Sequence, residues 1–325
     1  MISRLFGWSG FVRQSAFAGA FAIGMVGSTM AQPVPTEQPL AEPAGERVDF
    51  EIAFEDGDVF AYRTRMDLRV EQEFGEGELA EQVLEYDITT RFTVQGVEDD
   101  GTATLSMKVT EGTVTITDGD DELFVRVGDL AEGEEYATPY AAALANNVVT
   151  LVVSPEGLIT SVLGAEAYQQ ALEATDGADP RQLGFFSPDQ IKETFEPLFT
   201  IEQLNGKPRR VGTGWATSRE IELPPVAIIN LSYNWKFQGV LGDVSTLTSS
   251  VETTVRRPNT PDPARPTVAL EDSSGNVVTQ WNAASKRVTR RISTLSLDTR
   301  WALGELEIGQ KQQSAVRIEM VPVGE

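Results

Sequence analysis

Between residues 62 and 74 the side chains alternate. Tyr62, Thr64, Met66, Leu68, Val70 and Phe74 fall on one side of an extended chain, and Arg63, Arg65, Asp67, Arg69, Glu71 and Glu73 on the other. A period of two is that of a β-strand, and an apolar side opposite a charged one means one buried and one wet face. The pattern predicts a long half-buried strand, a turn at Gly75-Glu76-Gly77, and a partner strand in which Tyr86, Ile88, Phe92 and Val94 alternate with Asp87, Arg91 and Gln95. Asp99-Asp100-Gly101 is a turn sequence, and Ala103, Leu105, Met107 and Val109 mark a third strand. With a further strand near 148–153, this reads as an antiparallel meander over 49–153.

The period then changes. After the turn Ser154-Pro155-Glu156-Gly157 and the pair Leu158-Ile159, the spacing of Ala165, Tyr168 and Leu172 predicts a helix that stops near Gly177. A second helix carries stronger start signals: Ser187 as N-cap, Pro188 at the first helical position and Gln190 to complete a capping box. Its stripe is Ile191, Phe195, Leu198 and Phe199, spaced i, i+4, i+7, i+8, which suits packing on a sheet or closing over a ligand space. The helical segment is therefore placed at 160–200.

Alternation resumes over a second meander, 211–321. Ala227, Ile229, Leu231, Tyr233, Trp235 and Phe237 share one face, and 244–255 supplies a partner rich in Thr and Ser. Residues 256–266, with four prolines, predict a loop outside the sheet. Segments 277–281, 288–301 and 305–321 close the meander, with turns at Ser285-Lys286 and Leu303-Gly304. Glu98-Asp99-Asp100-Gly101, Ser154-Pro155-Glu156-Gly157 and Asp272-Ser273-Ser274-Gly275 each read as a turn with Gly before a new strand. The predicted fold is mainly β: an antiparallel curved sheet, half-barrel or sandwich, with two central α-helices.

Composition narrows the chemistry. The 325 residues are 41% hydrophobic, enough for a substantial core, and 49 acidic against 26 basic residues give a formal charge of −23, which argues against nucleic acid as a partner. With no Cys and no His, disulfides, thiolate nucleophiles, Ser-His-Asp hydrolysis and most zinc and non-haem iron sites are excluded. Arg4 and Arg13, the small apolar stretch 15–27 and the small-x-small site Thr29-Met30-Ala31 read as a leader over 1–31, cleaved before Gln32. Residues 32–46, with four prolines, read as an extended tether, and 47–325 as one β-rich domain. The expected location is the periplasm or the extracellular medium, with no membrane-spanning segment after the leader.

The order of the turns at 97–103 and 154–159, the helices, the segment 204–215 (LNGKPRRVGTGW) and the closing stretch 275–281 resembles an uncharacterised family of exported bacterial proteins, domain-of-unknown-function family 6263. The resemblance spans roughly residues 50–321. It implies export and a β-rich fold, and supplies no catalytic residues.

No catalytic, cofactor-binding or metal-binding residue is predicted. Asp118-Gly119-Asp120-Asp121-Glu122 lacks the alternate spacing of a Ca²⁺ loop and reads as a hairpin tip. The basic pairs Arg209-Arg210, Arg256-Arg257, Lys286-Arg287 and Arg290-Arg291 read as cross-strand partners of the acidic excess. The candidate site is the wall formed by Ile191, Phe195, Leu198, Phe199, Tyr233, Trp235 and Phe237, lining either a core or a ligand cavity. By architectural analogy with lipoprotein carriers of the cell envelope, the first functional expectation is a non-enzymatic protein binding an apolar or amphipathic ligand. The second is an interaction or structural module that meets another envelope protein through its exposed strand edges. A carboxylate-dependent hydrolase comes third.

Overall fold

The computed structural model describes residues 45–74, 77–119, 121–128, 135–175, 186–223, 227–256, 267–303 and 306–323. The leader, the processing point at Gln32, the tether up to residue 44, Gly75-Glu76, Asp120, Gly177, the proline loop 257–266 and Gly304 lie outside the described residues.

The first meander forms as its alternation requires. After β1 (Arg47–Phe50), it runs through β2 (Val59–Phe74), β3 (Glu78–Val97), β4 (Ala103–Asp118), β5 (Asp121–Val127), β6 (Val149–Val153) and β7 (Ile159–Leu163). In β2, Phe60, Tyr62, Thr64, Met66, Leu68, Val70, Gln72 and Phe74 are buried, while Asp67, Arg69, Glu71 and Glu73 are exposed. The second half contributes β8 (Lys207–Arg210), β9 (Gly214–Leu223), β10 (Ala227–Leu241), β11 (Val244–Arg256), β12 (Thr267–Asn282), β13 (Arg287–Leu303) and β14 (Leu306–Val321). The two meanders share one sheet, because β14 pairs antiparallel with β2 from Ile308 opposite Phe74 to Val321 opposite Ala61. The order across this twelve-stranded sheet is β7-β6-β4-β3-β2-β14-β13-β12-β11-β10-β9, with β5 also paired to β4, and β1 and β8 form a separate ribbon.

Three helices are described: α1 (Pro139–Asn146), α2 (Glu166–Glu173) and α3 (Pro188–Thr200). The sequence pattern predicts only the last two. Helix α1 starts as α3 does: Thr138 Oγ1 accepts from the Ala141 N–H with Pro139 next in the chain, and Ser187 Oγ accepts from the Gln190 N–H with Pro188 next. The segment expected to be helical from 160 is strand as far as Leu163, because β7 completes a hairpin with β6.

The turns at 98–101 and 154–157 form, with Gly101 and Gly157 N–H donating to the Glu98 and Ser154 carbonyls at 2.9 and 2.8 Å. The third expected turn does not exist: Asp272-Ser273-Ser274-Gly275 lies within continuous β12. Gly275 is demanded by crowding, since a Cβ there would meet Val251 Cβ at 2.9 Å and the Thr294 carbonyl at 3.0 Å.

Helix α3 reveals how strongly the sheet curls. Glu193 Oε1 accepts from Arg219 Nη2 in β9 at 2.6 Å, and Glu196 Oε2 accepts from the Ile159 N–H in β7 at 3.0 Å. Those two strands end the sheet on opposite sides. Eleven strands at the usual spacing would span roughly 48 Å if flat, whereas residues three apart on a helix are separated by only about 5 Å. The sheet must therefore wrap round until its edges face one another across α3. It does not close into a barrel, because β7 and β9 do not pair and the helix occupies the seam.

Candidate functional site

The wall predicted from sequence assembles inside this curl. Ile191, Phe195, Leu198, Phe199, Trp235 and Phe237 are buried in one apolar cluster, with Tyr233 half-buried against it. Phe195 and Phe199 meet Phe92 of β3 edge-on at 5.0 and 5.9 Å, and Phe50 of β1 lies between Phe237 and Trp281 at 5.3 and 5.1 Å. The helical stripe is thus packed core, and Phe50 of the β1–β8 ribbon joins it.

The adjoining rows belong to the same cluster but are not buried throughout. Leu84, Leu68, Ser314, Leu295, Gly275, Val251, Tyr233 and Thr217 stand in register across eight strands on the inner face. The adjacent row contains Tyr86, Met66, Val316, Ser293 and Val277. Tyr86, Val316, Leu295 and Tyr233 retain accessible surface although they point to the inside of the curl. Burial pushes the phenols of Tyr86 and Tyr233 above their ordinary range.

Charge enters this face beside α3. Glu202 Oε1 accepts from Thr279 Oγ1 at 3.0 Å and Arg291 Nε at 2.7 Å, with Glu202 itself 8% exposed. Its backbone is left-handed, as are those of Ile201 and Gln203, with φ of 53°, 49° and 70°. Such conformations cost about 1–3 kcal/mol each in non-glycine residues. Burial of Ile201 and Leu204 and the ion pair to Arg291 hold this turn in place.

Arg219 is less well matched. It is 4% exposed and donates through Nη2 to Glu193, while Nε and Nη1 have no hydrogen-bond partner. Desolvation lowers its pKa, against the pull of the nearby Glu193 carboxylate. Arg291 and Tyr233 lie close enough to act on it electrostatically, and the Tyr233 hydroxyl makes no hydrogen bond among the described residues. Beyond these rows lie the buried amides Gln72, Gln82, Gln310 and Gln312. Gln72 Nε2 donates to Gln310 Oε1 at 3.1 Å, but both amide atoms of Gln82 and Oε1 of Gln72 are unpartnered.

No family model matches the chain, and no curated protein matches it. Comparison with solved structures gives low similarity. Lipovitellin, described for its lipid–protein interactions, gives a TM-score of 0.36 at 11% identity, with 84% of this chain and 26% of that one covered. OccK5 (OpdH) of Pseudomonas aeruginosa gives 0.25 at 8% identity over 82% of this chain and 99% of that one. An outer membrane channel from Pseudomonas putida F1 gives 0.24 at 9% over 87% and 100%. The chain thus spans about a quarter of the length of lipovitellin.

The basic pairs divide between the two faces. Arg290 meets Glu319 on the outside while Arg291 reaches in to Glu202; Arg256 pairs with Glu220, and Lys286 with Glu51. Arg287 donates to Asp58 and to the Ala53 carbonyl and lies over the rings of Phe54 and Phe60. Arg209 instead lies over Trp215. Asp118 and Asp121 face each other at the tip of the β4–β5 hairpin. Sequence reasoning missed Arg219 and the glutamines, although a signal existed. Trp215, Thr217, Arg219 and Ile221 alternate with Ala216, Ser218, Glu220 and Glu222, which puts Arg219 in phase with the inner face.

Proposed function

We propose that this protein is an exported, non-enzymatic carrier that holds an apolar or amphipathic ligand against the inner face of its curled sheet. The observation that carries this reading is the surface that Tyr86, Val316, Leu295 and Tyr233 leave accessible on the face turned into the curl. Apolar walls with few convergent polar groups are the usual make-up of a small-molecule site. The leader pattern of 1–31 and the resemblance to the exported family 6263 support a location in the periplasm or outside the cell. No helix among the described residues is long and apolar enough to cross a membrane.

The test is uptake of N-phenyl-1-naphthylamine, an uncharged probe that fluoresces in apolar surroundings, by the unmodified protein and by Leu295→Trp. The proposal expects saturable binding by the first and at least about tenfold weaker binding by the second, with little loss of stability, because the larger ring occupies ligand space. If the unmodified protein binds no probe and Leu295→Trp costs the 1–3 kcal/mol typical of overpacking, about the same as in any solid core, the carrier reading fails.

A further inference from the structure

We infer that the inner face selects ligands with an anionic head, a carboxylate or a phosphate, and that Arg219 is the residue that recognises it. This rests on the carrier reading above and names the class of ligand for the same face. A guanidinium carries five N–H donors in a planar fork suited to carboxylate and phosphate oxygens. In Arg219 only Nη2 has a partner, while Nε and Nη1 are buried and unmatched. Buried donors to a charged group are costly to leave empty, and a buried positive charge attracts an anion far more strongly than the same charge in water.

The setting suits such a head. Arg219 neighbours Tyr233, whose ring belongs to the half-accessible row and whose hydroxyl is a donor without a partner among the described residues. Arg291 lies in the same corner, ion-paired with Glu202 Oε1, which also accepts from Thr279 Oγ1. Glu196, one helical turn from Glu193, has its Oε2 turned to the Ile159 N–H at 3.0 Å. Along the same row Leu295 retains accessible surface, between the buried apolar Val251 on one side and Leu68 and Leu84 on the other. Glu193 is the anion's rival for the same guanidinium, which gives the inference a signature opposite in sign to a structural role.

The experiment displaces N-phenyl-1-naphthylamine from the purified protein at pH 8 with oleate, oleyl phosphate and oleyl alcohol, three ligands with one chain and different heads. The expected result is displacement by at least one anion at tenfold or more lower concentration than the alcohol, the better anion marking the head as carboxylate or phosphate. Arg219→Gln should keep the neutral probe within about twofold and lose that preference. Glu193→Gln, which removes the rival carboxylate, should strengthen anion binding severalfold, and it carries the test if Arg219→Gln fails to fold. Equal displacement by alcohol and anions, a preference that survives Arg219→Gln, or no gain from Glu193→Gln would overturn the inference while leaving the carrier reading intact. Absence of any probe binding by the unmodified protein would overturn both.

Discussion

Gln82 points to the inside of the sheet, is 1% exposed, and has neither its amide oxygen nor its nitrogen satisfied. Each unmatched buried group costs the desolvation it suffers, so Gln82→Met, similar in shape and without the amide, is expected to stabilise the protein by about 1–3 kcal/mol. Urea unfolding measures this, and a loss of stability would mean that the amide is satisfied after all. Glu196 presents the other kind of buried polar group, hydrogen-bonded yet poorly placed to carry charge. Burial raises its pKa above 4.5, against the smaller opposing effect of the Ile159 N–H. An acid with a raised folded pKa is deprotonated first in the unfolded chain. Stability therefore falls as pH rises from the unfolded value through the folded one, and stays lower above it. Glu196→Gln can still accept from the Ile159 N–H but cannot ionise. Its stability relative to the unmodified protein is expected to be higher at pH 7 and to converge on it as pH drops toward 4.5. Denaturant curves across that range would refute this if the difference stayed constant.

At the scale of elements, α3 and the turn before β7 depend on each other. The turn Ser154-Pro155-Glu156-Gly157 is legible in sequence, and Gly157 adopts a φ of +89° as such turns require. Its second constraint is tertiary: a Cβ on Gly157 would stand 2.1 Å from the Phe199 carbonyl oxygen at the end of α3. Gly157→Ala combines a strained φ with a backbone collision and is expected to cost more than about 2 kcal/mol. At Gly57, also at positive φ but with open space around it, the same change should cost only the conformational part. Thermal melts of both variants separate the two contributions, and equal losses would show that the contact with α3 is unimportant. Helix α1 carries a related lesson. Its Thr138-Pro139 start is as plain as Ser187-Pro188, but eight residues with few large apolar side chains give no stripe from which to recognise a helix.

At the scale of the whole molecule, the pairing of β14 with β2 makes the first and last long strands central in the sheet, while β9 and β7 end it. Central strands have both sides hydrogen-bonded, and edge strands only one. Amide hydrogen exchange is accordingly expected to be slowest over 62–70 of β2 and 310–318 of β14 and faster in β9. Faster exchange in β2 than in β9 would contradict the strand order. The join is invisible to local pattern: Tyr62 donates its hydroxyl to the Val288 carbonyl at 2.8 Å across 226 positions of sequence.

The sequence alone determines that the chain is β-rich, which side of each long strand is buried, where α3 begins, and that Cys and His chemistry is absent. These properties follow from side-chain periodicity, turn geometry and composition, which act within a few residues. The single curled sheet, the seam filled by α3, the loss of the supposed turn at 272–275 and the partly matched guanidinium of Arg219 are decided by tertiary structure. Alternation says that Arg219 faces inward. Only the wrapping of the sheet brings Glu193 to one of its nitrogens and leaves the others empty, because that match depends on residues from α3, β9 and β10 meeting across the fold.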